Sequence, residues 1–303
     1  MVFDKNELLL YIFIWAVSFV FFWQNYHFWE SCFQIFDHKA YFERTPAHRI
    51  RYVQSWMNNT FNFIIPILSV YVQYASCSND KGYPWPSEKG GSYTNEANSE
   101  KRWGWVRDDV CMMEFSKGAV TVIMIANGFL CFDFIVSRFW ILNRNNLNTQ
   151  MEIHHIVALM GFTSSIWCGF GMPMCSCASM ICEVSGYWLN YKDMFDATNR
   201  NSPPGQFVQI MFFITYTFFR LIPLYFLNMR VVYISLITTH RLHWFRALCN
   251  IICSINAVLI ILINTYWYGL ILKGLRRLLE EQGVLKKSSK TDYSALDALE
   301  VNS

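Results

Sequence analysis

The chain has 303 residues, of which 53% are hydrophobic and 18% aromatic but only 16% charged, and its mean hydropathy is +0.20. A soluble domain carries about a quarter charged residues, and 14 Gly, 8 Pro and the lack of a sustained heptad exclude collagen, disorder and coiled coil. The net charge of +3 is too small to argue for nucleic acid, and none is expected as a partner; ten cysteines in a chain of this size do not make a disulfide framework.

The composition therefore predicts an all-α, polytopic membrane protein, since a helix needs about 20 mostly apolar residues to cross the hydrocarbon core. Leu8–Trp23 is the first predicted span, with Ser18 its only plainly polar member. Asp4 and Lys5 precede it and no small-residue cleavage site follows, so it is expected to be retained rather than removed as a signal peptide. Trp56–Tyr74 is the second span, softened by Asn58, Asn59, Asn62 and Pro66. Residues 75–114 form the one long connection, rich in Gly, Ser, Asn, Pro and charge, which reads as a cap held at the membrane interface by Trp85, Trp103 and Trp105. Phe115–Val136 is the third span; Glu114 and Lys117, three apart at its start, are expected to pair on the helix surface.

His154–Asn190 would make a single helix about 55 Å long, far beyond a core of about 30 Å. Gly169-Phe170-Gly171-Met172-Pro173 at its middle supplies the breakers, so two spans are predicted, at 153–170 and 172–190. Phe207–Leu227 is the sixth and Ala247–Leu272 the seventh. Val231–Thr239 is too short to span alone; flanked by Arg230, His240, Arg241 and His243, it is expected to be interfacial or re-entrant rather than an eighth span.

Seven spans sort the basic residues outside them into 14 on one side and nine on the other. The richer side should be cytoplasmic, which places the N-terminus outside and the C-terminus inside. The expected organisation is an N-terminal helix with linker at 1–43, a bundle at 44–278 and a mobile cytoplasmic tail at 279–303.

Ionisable groups inside spans are costly and face a bundle interior or cavity. Asn62, Asp133, His154 with His155, Glu183, Arg220 and Asn264 come from six different spans yet fall in the same predicted leaflet. They are expected to converge on one polar cavity open to the cytoplasm, against the alternative that Arg220 and Glu183 merely fix helix register as a structural pair. Neighbouring helical residues diverge by about 100°, so only one of the two histidines can aim into it. Cys175, Cys177 and Cys182 lack the paired spacing of a zinc site, and no metal is expected. Cys77 and Cys111 bracket the non-cytoplasmic loop, where a disulfide between them is open to formation.

Five segments in order suggest a family. Asn127-Gly128-Phe129-Leu130-Cys131-Phe132-Asp133 resembles the G-Y-F-x-x-D signature of the TLC-domain family, and His154-His155-Ile156-Val157-Ala158-Leu159 resembles its H-H-x-x-A-L helix start. Glu183-Val184-Ser185-Gly186-Tyr187-Trp188-Leu189-Asn190 is similar to its E-x-S-T-x-F-x-N-x-R stretch, with Gly186 in place of Thr and Lys192 in place of Arg. Arg220 resembles the arginine of its F-x-x-x-R helix, and Asn264-Thr265-Tyr266-Trp267-Tyr268 its closing N-x-Y-W-F/Y. The resemblance implies a six-helix TLC bundle with the first span as an addition. It also implies the endoplasmic reticulum as the resident membrane.

The ceramide synthases of that family carry a second His-Asp and a later Asp about 27 residues after the paired histidines; here Ile181, Cys182 and Ser185 stand near those places. The resemblance therefore implies the non-synthase branch, associated with phospholipid composition, lipid sensing and membrane-protein trafficking. The leading expectation is a protein that binds a lipid or acyl chain in a cavity lined by Asn62, Asp133, Glu183, Ser185, Asn190, Arg220 and Asn264, and so influences membrane lipid homeostasis. One alternative is a lipid N-acyltransferase using His154 or His155 as base. The other is a structural lipid-binding subunit of a larger membrane complex. No cofactor is expected beyond a bound lipid or acyl-CoA, and the expected partners are membrane lipids and membrane proteins.

Overall fold

The structure, a computed structural model, describes residues 5–78, 116–140, 146–169, 172–194, 202–281 and 285. All regular structure among them is helical. Helix α1 is Lys5–Phe36, α2 His38–Glu43 and α3 Pro46–Ser78. Helix α4 is Lys117–Ile135, prolonged by a π-helical turn over Val136–Trp140. Helix α5 is Asn146–Cys168, and α6, Met172–Ser179, leads through a 3-10 turn at Met180–Cys182 into α7, Glu183–Met194. Helix α8, Pro203–Thr215, passes through a π-helical turn at Tyr216–Leu221 into α9, Ile222–Thr238. Helix α10, Trp244–Glu281, closes the series.

Among the described residues, four stretches are long and apolar enough to cross a membrane: Lys5–Phe36, Lys117–Trp140, Pro203–Thr238 and Trp244–Glu280. Helices α3, α5 and α6–α7 pack against them to complete the bundle. Helix α3 lies between α4 and α7, α7 packs on α8, α9 on α10, α10 along α5, and α5 on α4, which closes a ring of six helical units. Helix α6 fills its middle, touching α3, α4, α5 and α9, and all eight of its residues are buried. Helix α1 stands outside the ring against α4 and α3, as the six-plus-one arrangement predicts.

Several boundaries differ from those predicted. Helix α1 does not stop at Trp23, because tertiary contacts continue past the apolar run. The Trp29 ring lies 5.1 Å from Trp56, Phe33 lies 4.7 Å from Tyr52, and the polar His27 and Glu30 pair with each other at 3.2 Å. The linker that follows holds α2. Helix α3 begins at Pro46, whose missing N–H costs nothing in a first turn, and runs to Ser78, so residues 75–78 are helical rather than loop. Residues 79–115 lie outside the described residues, as do Cys111, the side chain of Cys77 and Glu114. Lys117 makes an ion pair of 2.5 Å with Glu7, tying the start of α4 to that of α1.

Cys168 ends α5, Gly169 takes a left-handed φ of 74° that suits a residue without Cβ, and helix resumes at Met172, which is the predicted break. Val231–Thr239 is not a separate re-entrant piece. All but its last residue continue α9, with Val231, Ile234 and Ser235 buried. Residues 279–281, expected to open the tail, are the last residues of α10, where Arg276 Nε meets Glu280 Oε1 at 3.0 Å.

Two glycines set how closely the helices approach. A Cβ on Gly128 would lie 2.8 Å from both the Ser18 Cβ and the Trp15 carbonyl oxygen, so α1 sits directly on the α4 backbone. There Ser18 Oγ donates to the Ile125 carbonyl at 2.8 Å. A Cβ on Gly186 would lie 2.6 Å from the Asn62 amide nitrogen, which explains a glycine where the resemblance calls for threonine. Small residues at such crossings let backbones approach, as is usual between membrane helices. Beside the first crossing, Phe61 and Phe129 stack at 3.7 Å and Phe22 meets both edge-on, at 5.9 and 5.0 Å.

Candidate functional site

The polar residues singled out by sequence fall into two groups rather than one. The first surrounds Asp133, 2% exposed near the end of α4. Gln54 Nε2 donates to Asp133 Oδ1 at 2.6 Å and to Ser137 Oγ at 2.9 Å. With its amide turned so that nitrogen faces the acid, Asn58 donates to the same oxygen at 3.1 Å. His155, on α5, brings Nδ1 to 3.4 Å from Asp133 Oδ2, a close polar contact rather than an aligned hydrogen bond. A buried carboxylate is tolerable only when polar partners surround it. Here α3, α4 and α5 supply them, so the cluster fastens three helices together.

The second group lines a hollow of about 80 Å³ between α4, α5, α6, α9 and α10. Glu183 opens α7 and Arg220 sits on the π-helical turn, 5% exposed, with Nη2 3.5 Å from Glu183 Oε1. The guanidinium also lies 5.6 Å from the centre of the Tyr216 ring. Tyr216 Oη in turn donates to Asn264 at 3.0 Å for the side-chain oxygen, and Asn264 Nδ2 donates to the Ile260 carbonyl at 2.8 Å. His154 joins this hollow and packs edge-on to Trp267, ring centres 5.2 Å apart. Ser176, Ser179, Asn228 and Asn256 add polar lining, while Phe61, Leu130, Val157, Leu224, Val231 and Ile260 supply apolar walls.

One wet pocket shared by all the predicted residues is thus not what the structure contains. Glu183, Arg220 and His154 share the hollow, whereas Asp133 and His155 belong to the fastening cluster. The two histidines diverge as their helical spacing requires. Asn62 abuts Gly186, and Asn190 Nδ2 donates to Asn59 Oδ1 at 2.9 Å; both hold α3 to α7. Ser185 is spent on the Cys182 carbonyl, 2.8 Å away, and Asn264 reaches the site only through Tyr216.

Sequence reasoning missed Gln54, Ser137 and Asn228. Gln54 and Asn58 were legible, since Gln54, Asn58 and Asn62 recur every fourth residue and so share one helix face. Asn228 was not, because it lies past the predicted end of the sixth span. Neither was the π-helical turn that carries Arg220, although Pro223 just beyond it lacks the N–H that a regular helix would use. Such turns interrupt helices at functional sites more often than elsewhere.

No individual curated protein matches the chain. The family model of the TLC domain matches residues 55–273, which takes in α3 from its third turn through most of α10 and every residue of both polar groups except Gln54. With its apolar helices, its ring of six helical units and that match, the chain is a multi-pass membrane protein that belongs to the TLC-domain family.

Proposed function

We propose that this protein holds a lipid or acyl chain with its polar end in the hollow beside Glu183, Arg220 and His154, and through that lipid influences membrane lipid composition. One observation carries the reading: a nearly buried Arg220, its partner Glu183 and His154 come from three separate helices to face a space whose other walls are mostly apolar. Charged groups are not drawn into a bundle interior without something polar to meet. A hollow of about 80 Å³ receives only a headgroup fragment of a few atoms, so the chain of such a ligand runs outside it. The endoplasmic reticulum and an N-terminus facing away from the cytoplasm belong to this proposal, the first on the family and the second on the charge count.

The test is native mass spectrometry of the full chain purified in mild detergent. A co-purifying lipid that is lost in Arg220→Ala supports the reading. A bare protein overturns it, and stoichiometric retention of a defined protein partner instead favours the structural-subunit reading. The acyltransferase reading keeps one specific support, that His154 lines the hollow. Its base would be His154, since His155 is engaged with Asp133.

A further inference from the structure

Three lining residues of the hollow each keep a buried polar atom that has no hydrogen-bond partner among the described residues: Arg220 Nε, Asn228 Nδ2 and His154 Nδ1. They come from the π-helical turn, α9 and α5. The first two are donors only, and the third is a donor in one tautomer. Buried donors left without acceptors are costly, so a site that keeps three of them is built to receive acceptors.

The charge on the lining narrows the class. Among the described lining residues only Arg220 and Glu183 carry formal charge, and they already face each other at 3.5 Å. The hollow is therefore rich in donors yet electrically balanced. A carboxylate or phosphate would add a negative charge with no counter-charge of its own, at a heavy desolvation cost. An amine would bring a positive charge and further donors to a hollow whose unpartnered atoms are donors. An acyl ester accepts two hydrogen bonds at its carbonyl oxygen and a further one at its bridging oxygen, and carries no charge; the apolar walls suit the carbons next to it.

We propose that the hollow recognises the carbonyl end of an uncharged acyl lipid, with Arg220, Asn228 and His154 as its donors. This rests on the lipid-holding reading above and names the chemical class of the ligand.

The test exchanges the full-length protein in detergent with four probes: dioleoylglycerol, its dialkyl ether analogue lacking both carbonyls, oleate, and dioleoyl phosphatidate. Retention is read by native mass spectrometry. Dioleoylglycerol should be held about tenfold more tightly than the diether, the worth of one or two net hydrogen bonds. Asn228→Leu and His154→Phe, the second of which preserves a ring against Trp267, should each remove several-fold of that preference and leave diether retention unchanged. Equal retention of diester and diether overturns carbonyl recognition while lipid holding survives. A preference for oleate or phosphatidate overturns the charge argument. Diester retention unmoved by both variants overturns the donor assignment, and retention of none of the probes removes both this proposal and the reading it rests on.

Discussion

Replacing Gly128 by alanine adds one methyl at the place where α1 rests on α4. The new carbon would lie 2.8 Å from a backbone oxygen, Trp15 O, and 2.8 Å from Ser18 Cβ, with no flexible side-chain end to swing aside. Ordinary contact begins near 3.4 Å, so α1 must withdraw by about 0.6 Å or more along this crossing, with loss of close packing. Overpacking of this kind costs about 1–3 kcal/mol. Misalignment of the Ser18–Ile125 hydrogen bond adds about 1 kcal/mol, while the better helix propensity of alanine returns about 1 kcal/mol. The net is a loss of about 1–3 kcal/mol, or roughly 2–5 °C in Tm for a chain of this size. Gly269→Ala is the matched control, because a Cβ there meets nothing within 4 Å and only the propensity gain remains. Both variants would be melted in the same detergent with tryptophan fluorescence as readout. If Gly128→Ala melts at or above Gly269→Ala, α1 does not seat on α4 as described.

Arg220→Met should leave the Glu183 carboxylate without its counter-charge, at a cost of about 3–5 kcal/mol; the double variant with Glu183→Gln should recover most of it, read by thermal unfolding. His155→Phe should cost about 1–3 kcal/mol because it strands a buried Asp133, whereas His154→Phe should leave the unfolding temperature within about 2 °C and lower only lipid retention. If instead the chain transfers acyl groups, His154→Ala abolishes turnover from acyl-CoA, and loss confined to His155→Ala would contradict the placement of the two rings. Gly186→Thr should destabilise by about 1–3 kcal/mol against Asn62, and Asn62→Ala should relieve that penalty; additive effects in the double variant would mean the two residues do not touch.

Hydropathy made the helices legible because lipid-facing surfaces must be apolar whatever the bundle inside them does. The break after Cys168 was legible for a different reason, since glycine and proline punctuate a chain locally. Helix ends were not, because α1 runs on past Trp23 on the strength of Trp29 and Phe33 meeting α3, contacts that no window along one helix contains. For the site, depth could be read and direction could not. Counting 1.5 Å per residue puts Asp133 and His155 near the cytoplasmic end of their spans, Glu183 about 10 Å in and Arg220 about 20 Å in, but which way each points depends on helix rotation. The π-helical turns at Val136–Trp140 and Tyr216–Leu221 alter that rotation beside two of the four residues. Gln54 and Asn58 show the converse case, where a spacing of four on a regular helix carried the direction plainly.

The wide turn at Tyr216–Leu221 also changes what the long rod from Pro203 to Thr238 can absorb. A turn with i→i+5 bonding holds one residue more than its regular neighbour. Excising a single residue there would let the rod close into uninterrupted α-helix, with both flanking segments still seated on their neighbours. The same excision elsewhere in the rod would swing everything beyond it by about 100°. Length variation in this helix is therefore accommodated at the one place that carries the guanidinium, and restoring a regular winding there turns that group away from the space it serves while the scaffold around it stands.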